Sequence, residues 1–158
     1  MKATIRDRRP GDLPRCIELL GEVHRLDRYP LNWPADPRGW LCPPDLLYAW
    51  IAEADSAAVV GHIAVHRLST TAAVFEVGRL FVAPAFRRHH VASRLLQQVR
   101  EWAVDRHADL MLEVVDGRGS AAITVYERGG WQHTHTTTAD WTAPDGSPVT
   151  LRHYTLHH

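Results

Sequence analysis

A basic turn connects a strand-like segment to the most regular helical pattern in the chain. The strand-like segment stops at Pro84, and the helical pattern begins near Arg88. The first amides of a helix have no carbonyl partner within it, so these amides and the helix dipole attract anions. Basic-type side chains in the turn add to that attraction: Arg87, Arg88, His89 and His90. The segment therefore suits a ligand that carries phosphate, although an ordinary basic helix start would have the same composition.

The elements that must position this turn are predicted from apolar periodicity and from proline and glycine breaks. A first strand is expected at 3–6, and then a helix that Asp12 caps and that extends to about His24. An ordered, aromatic-rich loop is expected over 25–44 because five prolines near it accompany a tyrosine and two tryptophans. A second helix is expected over 45–54, where leucines, Trp and Ile would face inward.

The second half of the chain is predicted to contain most of the strands. The predicted strands lie at 57–68, 73–83, 110–115, 131–138 and 148–156, and the predicted helices lie at 88–107 and from Ser120 to Gly129. The predicted order is β-α-α-β-β-β-α-β-α-β-β, which indicates a mixed α/β (α+β) fold in a single domain over residues 1–158.

The composition argues against several classes of protein. The 158 residues are 45% hydrophobic and 23% charged, which is typical of one soluble domain. The 18 basic and 18 acidic residues balance, so a large basic face for nucleic acid is not expected. The longest apolar run, 46–52, is too short to span a bilayer, and the charged N-terminus does not fit a secretion signal. We therefore expect a cytoplasmic protein that binds neither nucleic acid nor membrane.

Two segments in register resemble the GNAT superfamily of acetyl-CoA-dependent N-acetyltransferases. The turn from Arg87 to Ala92 is similar to the family pattern Gln/Arg-x-x-Gly-x-Gly/Ala, and the segment before it, Leu80 to Pro84, resembles the end of the family's fourth strand. Downstream, Ala122 to Trp131 resembles the family pattern Ala-Ile-x-Leu-Tyr-x-x-x-Gly-Phe/Trp. The resemblance covers nearly the whole chain and implies a largely antiparallel central sheet flanked by helices.

The resemblance implies how acetyl-CoA would bind as a co-substrate. Main-chain groups of Leu80, Phe81 and Val82 would hydrogen-bond the pantetheine arm, and an amide of Leu80 or Phe81 would polarise the thioester carbonyl. Tyr126 would protonate the departing CoA thiolate, unless it is only a tyrosine packed on the sheet. The turn and helix start would cradle the pyrophosphate, mainly through amides, with these residues: Arg87, Arg88, His89, His90, Val91, Ala92 and Ser93.

Two cofactor-binding positions depart from the family pattern. His90 stands where the family usually has glycine, and Gly119 stands where many relatives have an asparagine that contacts the cofactor. We expect the His90 side chain to point away, since only the main-chain amide is needed there. A side chain that crowded the cofactor would weaken acetyl-CoA binding, whereas a protonated one would add positive charge to the phosphate site.

Amine acetylation also requires removal of a proton, because an ammonium has no lone pair with which to attack. Glu76 precedes Leu80 by four residues and shares its face if the strand is regular, which makes it the candidate base. The resemblance implies that a bulge is typical of this strand, and a bulge between the two residues would remove that shared face. A solvent-facing strand carboxylate is the equal alternative, and Glu113 is a lesser candidate. In the aromatic loop, Tyr29 and Trp33 would line the acceptor site, and Asp36 would form an ion pair with a cationic acceptor. The alternative is that buried tryptophans only hold this loop in place.

These observations predict transfer of an acetyl group from acetyl-CoA to a primary amine by direct attack in a ternary complex. The acceptor would be a small-molecule amine or a peptide or protein amine, and homodimer formation is left open. The alternative is a related protein that binds acyl-CoA and has a regulatory role with little or no transferase activity. A metal site is a third reading, because His133 and His135 would share a strand face, but no metal is expected.

Overall fold

Seven strands and four α-helices make up the part of the chain that the computed structural model describes, residues 2–68, 73–88, 90–117 and 121–157. The strands are β1 (Ala3–Asp7), β2 (Leu46–Ala54), β3 (Val59–Arg67), β4 (Val74–Val82), β5 (Asp109–Val115), β6 (Gln132–Thr142) and β7 (Pro148–Leu156). The helices are α1 (Leu13–Asp27), α2 (Pro37–Leu41), α3 (Val91–Asp105) and α4 (Ala121–Arg128). None of these helices is long and apolar enough to cross a membrane.

The strands form one sheet in the order β1-β2-β3-β4-β5-β7-β6. Every neighbouring pair is antiparallel except β4 and β5, which are parallel. The connection between these two strands is α3, because a parallel pair needs a crossover that returns the chain to the same end of the sheet. The sheet is therefore largely antiparallel, with one parallel pair near its middle.

The prediction of a helix over 45–54 was wrong, because this segment forms β2. In that strand Trp50, Ile51 and Ala52 are all buried, since β2 lies inside the sheet and is covered on both faces. Such a continuous apolar run has the same composition as a buried helix. The second helix is instead α2, inside the segment predicted as a loop, where Asp36 accepts a hydrogen bond from the Gly39 amide at 3.1 Å.

An ion-pair group fastens the start of α1 to the edge of the sheet. Arg6 on β1 donates to both carboxylate oxygens of Asp12 at 2.9 Å and to Glu53 on β2 at 2.8 Å. Asp12 also accepts from the Arg9 amide at 2.7 Å, so its carboxylate closes the short 3-10 turn before α1 and does not cap α1 itself as predicted. The Arg6 guanidinium lowers the pKa of Asp12, which keeps the group ionised.

Alternate residues of β3 face different helices. A Cβ at Gly61 would lie 3.0 Å from side-chain atoms of Val91 and Leu95, so α3 packs closely against this side of the strand. The next residue, His62, points to the opposite face, where Arg8 from the β1–α1 turn binds it. The sheet therefore has an α3 face and a second face covered by α1 and α2.

The close approach at Gly61 predicts a specific loss of stability. Gly61→Ala would push against Val91, the first residue of α3, and should lower the free energy of unfolding by about 1 kcal/mol. Gly11→Ala is the matched control, because a Cβ there meets nothing within 4 Å. Urea denaturation of both variants checks the difference, and a Gly61→Ala protein as stable as the control would contradict the packing described.

Candidate active site

The parallel strands β4 and β5 separate soon after they meet. Their pairing extends only from Val74 to Glu76 on β4 and from Asp109 to Met111 on β5. Beyond that point β4 stays paired with β3 and β5 with β7, so the facing edges of β4 and β5 have no strand between them in the described residues. Free main-chain donors and acceptors on such an edge can bind an extended ligand as an added strand. The edge of β4 includes the predicted residues Leu80, Phe81 and Val82.

A bulge interrupts β4 at the start of this open edge. The pairing with β3 advances from Ala64 to His62, two residues, while β4 advances from Gly78 to Phe81, three residues. The extra residue is Arg79, whose φ of 53° lies in the left-handed region. The bulge therefore reverses the alternation of side chains along the rest of the strand.

The bulge determines which β4 side chains lie on the same face of the sheet as Glu76. Cross-strand partners lie on the same face of a sheet, and Glu76 is paired with His66 while Phe81 is paired with His62. Glu76 and Phe81 therefore share the face covered by α1 and α2. Glu76 does not share a face with Leu80, because the strand is not regular and the bulge, the alternative that the resemblance implied, adds one residue between them.

His62 holds the bulge from the neighbouring strand. Its Nε2 atom lies 3.0 Å from Arg8 Nη1, and since arginine can only donate, Nε2 must be the acceptor. The other nitrogen, Nδ1, therefore carries the hydrogen and donates to the Arg79 carbonyl at 2.8 Å. Burial lowers the pKa of His62 to about 3, so the ring stays neutral, and it stacks on Phe81 at 4.9 Å.

The side chain of Arg79 connects the bulge to the aromatic loop. Its Nε donates to the Trp40 carbonyl at 3.1 Å, and its guanidinium lies 4.1 Å from the centre of the Trp40 ring. Tyr29 packs edge-on against the same ring, with centroids 6.2 Å apart. Burial raises the pKa of Tyr29 to about 12. The structure therefore brings Tyr29 to the bulge together with Trp40 and Arg79, neither of which was predicted as a site residue.

The other two predicted acceptor residues lie elsewhere. Trp33 packs against His24 on α1, with ring centroids 5.3 Å apart, and is 42% exposed. Asp36 caps α2 and lines a separate cavity of about 460 Å³ together with arginines that include Arg8 and Arg38. Proximity in sequence placed these residues with Tyr29, but Trp33 contacts α1 and Asp36 caps the start of α2, whereas Tyr29 packs on Trp40 at the bulge.

Tyr126 is buried in α4 on the same side as Tyr29. It is 8% exposed and packs against Trp131 and Tyr154, with ring centroids 6.1 and 6.2 Å away. Burial raises its pKa, with a smaller contribution from Tyr29. The phenol therefore stays protonated throughout the working range of pH, which is the state that a proton donor needs.

Glu76 has the electrostatic surroundings of a proton acceptor. The residue is half-buried on β4, and burial raises its pKa, assisted by the Glu113 carboxylate on β5 and opposed by Arg79. A carboxylate with a raised pKa binds a proton more strongly than an exposed one. Glu113 itself is exposed and lies 4.0 Å from His153, so it acts here mainly as a nearby charge.

The start of α3 provides main-chain amides that no side chain caps. His90 is the residue before the helix, its side chain makes no capping hydrogen bond, and its φ of 60° is left-handed. Val91 is buried, whereas Ala92 is half-buried and Ser93 is exposed, so the first turn faces solvent on one side. A left-handed backbone favours glycine, which gives a physical reason for the family's glycine at this position.

The basic side chains of the turn are not all free. Arg87 forms an ion pair with Asp27 at the end of α1, which fastens the turn to that helix. Arg88 is exposed and also has a left-handed backbone, with φ of 70°. The predicted positions His89 and Gly119 lie outside the described residues.

The two histidines on β6 do not share a face. A register shift between them pairs His133 with Tyr154 and His135 with His153. Tyr154 and His153 are adjacent on β7 and point to opposite faces, so the shared strand face on which the metal-site reading depended is absent. Within the described ranges no three His, Cys, Asp or Glu side chains lie close enough together to hold a metal ion.

The family of the chain follows from comparison with known proteins. The model of the Acetyltransferase (GNAT) family matches residues 14–131, the greater part of the sequence, and the chain belongs to that family. The resemblance seen in the sequence is thus confirmed. No curated protein matches the sequence significantly.

Solved structures confirm the predicted fold class. An N-acetyltransferase from Staphylococcus aureus Mu50 has a TM-score of 0.81 and 17% identity, with 99% of each chain covered. The ribosomal-protein-S18-alanine N-acetyltransferase from Escherichia coli has a TM-score of 0.77 and 17% identity, covering 99% of this chain and 94% of that one. NAA60 from Arabidopsis thaliana in complex with acetyl-CoA has a TM-score of 0.77 and 15% identity, covering 99% of this chain and 98% of that one.

The left-handed backbone at His90 predicts that glycine is better tolerated there than histidine. His90→Gly should raise the free energy of unfolding by up to about 1 kcal/mol, because glycine adopts this conformation without steric strain. Acetyl-CoA binding should be unchanged or tighter. Gln97→Gly, in the middle of α3, is the control and should lose about 1 kcal/mol.

Thermal denaturation and calorimetric titration with acetyl-CoA measure both effects. A loss of stability in His90→Gly as large as that in the control would show that the side chain of His90 has a role that its backbone conformation does not explain.

Proposed function

We propose that this protein transfers the acetyl group of acetyl-CoA to a primary amine by direct attack in a ternary complex. The observation that supports this most strongly is the open edge of β4, which begins at the Arg79 bulge and leads towards the uncapped start of α3. The edge offers strand-like hydrogen bonds to an extended arm, and the helix start offers amides to an anion. Acetyl-CoA combines an amide-containing arm with a pyrophosphate, and the family uses it.

In this proposal the pantetheine arm lies along Leu80, Phe81 and Val82. The pyrophosphate lies at the amides before and within the first turn of α3, with the exposed Arg88 in the turn that precedes the helix. Arg87 contributes by fixing the turn to Asp27, unless the ion pair opens when the ligand binds. An amide of Leu80 or Phe81, just after the bulge, donates to the thioester oxygen as negative charge develops on it.

The chemistry requires one proton acceptor and one proton donor. Glu76 accepts a proton from the acceptor ammonium, and the resulting amine attacks the thioester carbon. When the tetrahedral adduct collapses, the carbon–sulfur bond breaks and Tyr126 gives its phenolic proton to the thiolate. The nitrogen loses its second proton as the amide forms, and that proton restores Tyr126 through solvent. Burial keeps Tyr126 protonated and also increases the affinity of a departing thiolate for a proton.

Direct attack is favoured because neither cysteine suits an acetyl-enzyme intermediate. Cys16 is buried in α1, and burial raises its pKa to about 12, so its thiolate is scarce at neutral pH. Cys42 is exposed, but it follows α2 and lies 3.2 Å from Arg8 Nη2, beside the separate cavity. The acceptor therefore has to reach the thioester itself.

The acceptor side is proposed to be the face of Glu76, Tyr29 and Trp40. Aromatic rings there can contact the carbon chain of an amine, and Arg79 limits the positive charge that the acceptor can bring close to the bulge. A small-molecule amine and an exposed peptide or protein amine both fit this description.

Tyr126→Phe tests the proposed mechanism. The variant should lower kcat about 10- to 100-fold on any amine that the wild type acetylates, because the thiolate loses its proton donor. Its affinity for acetyl-CoA should stay the same, since the ring and its packing remain. Release of CoA thiol with a panel of amines, together with calorimetric titration, measures the two quantities.

Tyr154→Phe is the matched control for this experiment. Tyr154 packs against Tyr126, but its hydroxyl donates to Glu127 at 2.9 Å and is not proposed to touch the substrate. It should keep wild-type turnover. Unchanged turnover in Tyr126→Phe would remove this tyrosine from the mechanism, and acetyl-CoA binding without turnover on any amine would favour an acyl-CoA-binding regulatory protein.

A further inference from the structure

The separate cavity beside α2 collects positive charge that no ion pair uses. Its volume of about 460 Å³ is in the range of pockets that hold small molecules, and it lies between the β1–α1 turn and α2. Its charged lining residues are three arginines and one aspartate: Arg8, Arg9, Arg38 and Asp36. Within the described part of the chain none of these four side chains forms an ion pair. Because the whole chain has no net charge, the excess is a local feature of this cavity.

Three contacts fix Arg8 at the side of the cavity. Its Nη1 donates to the Leu41 carbonyl at 2.8 Å and to His62 Nε2 at 3.0 Å, and its Nη2 lies 3.2 Å from Cys42 Sγ. A guanidinium has five N–H donors, so the Nε–H and one Nη2–H have no protein partner among the described residues. A ligand in the cavity would therefore meet donors that are already oriented, on the same guanidinium that holds His62 towards the Arg79 carbonyl.

The other two arginines lie on the two segments that border the cavity. Arg9 is exposed in the β1–α1 turn, where its amide donates to Asp12 at 2.7 Å. Arg38 is exposed on α2, in the turn that Asp36 closes by accepting from the Gly39 amide. Cations placed together repel each other, and an anion between them converts that repulsion into attraction. Guanidinium groups bind carboxylate and phosphate oxygens through paired N–H donors.

The rest of the lining limits the kind of anion. Pro10 and Leu13 provide apolar surface that a carbon skeleton can contact. Asp36 opposes a ligand with many negative charges, and its carboxylate can accept a hydrogen bond from a hydroxyl or ammonium group of the ligand. The cavity therefore suits a small organic molecule with one carboxylate or phosphate group better than it suits a polyanion.

We propose that this cavity is a binding site for a small organic anion that carries one carboxylate or phosphate group. The anionic oxygens lie between Arg38 and the free donors of Arg8, and Arg9 adds positive charge from the turn. The carbon atoms of the ligand contact Leu13. Because acetyl-CoA is proposed to lie along the open edge of β4, this second site goes beyond the proposed function and does not depend on it.

Amide NMR during titration with lactate and, separately, with glycerol 3-phosphate tests the proposal. At constant ionic strength at least one of these probes should shift the signals of Arg9, Arg38 and Gly39 with a single dissociation constant. The signals of Leu80 and Phe81 should stay in place. Comparison of the two probes distinguishes a carboxylate ligand from a phosphate ligand. If neither probe causes a saturable shift at the cavity, the proposal is overturned.

Arg38→Gln and Arg25→Gln form a matched pair, because each removes one exposed arginine. Arg25 lies on α1 outside the cavity lining. Loss of one exposed cation from the site should weaken binding of the probe about threefold or more in Arg38→Gln, and the double variant with Arg9→Gln should weaken it about tenfold. Arg25→Gln should bind as the wild type does. An equal loss in Arg25→Gln would show that binding follows the net charge of the chain, which contradicts a built site.

The same spectra separate this inference from the proposed function. A probe that shifts the amides of Ala92 and Ser93, and leaves Arg38 and Gly39 in place, would overturn the second site, because it would bind only where the pyrophosphate is proposed to lie. Saturable binding of a probe at the cavity would support the second site even in a protein that acetylates no amine.

Discussion

The hydrogen bond from His62 to the carbonyl of Arg79 fixes a bulge on which the geometry of the whole site depends. Without the extra residue, Glu76 and Phe81 would lie on opposite faces, and the Arg79 side chain would not reach α2. The bulge lies where β4 leaves β5, so the distortion and the open edge occur together. One bond from the neighbouring strand thus orients the side chains of one face and the amides of the edge.

The covering of this face by helices also controls the protonation states of the site. Burial raises the pKa values of Tyr126, Tyr29 and Glu76 and lowers those of His62 and His66. All five shifts have burial as their largest cause, and each disfavours the charged form. Arg79 is a cation placed among these groups, and it partly offsets the shift of Glu76. The tyrosines therefore stay protonated and the carboxylate binds a proton more strongly for the same reason, the low polarity of one face.

The parts of the protein that depend on local sequence could be predicted from the sequence. The turn and helix around Arg88 have local signals in proline, basic residues and apolar spacing. The helix predicted over 88–107 is therefore present, and it forms α3 at Val91–Asp105. The motif around Tyr126 likewise placed a tyrosine near the site. By contrast, β2 could not be distinguished from a helix, because burial on both faces removes the alternation that identifies a strand.

The bulge and the histidine pair depend on the pairing of two strands that are separate in sequence. The family resemblance implied a bulge in this strand, but no local signal marks Arg79 as the extra residue, so the face of Glu76 relative to Leu80 could not be settled from the sequence. His62 and His66 are two imidazoles at even spacing in an apolar strand, and that pattern could have identified them as neighbours on one face. What each ring contacts depends on the residues packed opposite it, which the sequence of β3 alone does not show.

The central claim is that acetyl-CoA binds along the open edge of β4, and amide NMR during titration with acetyl-CoA tests it most directly. The amide signals of Leu80, Phe81 and Val82 and those of Ala92 and Ser93 should shift together with one dissociation constant. Arg38 and Gly39, which line the separate cavity, should not shift. Shifts concentrated at that cavity, with the β4 amides unmoved, would contradict the claim.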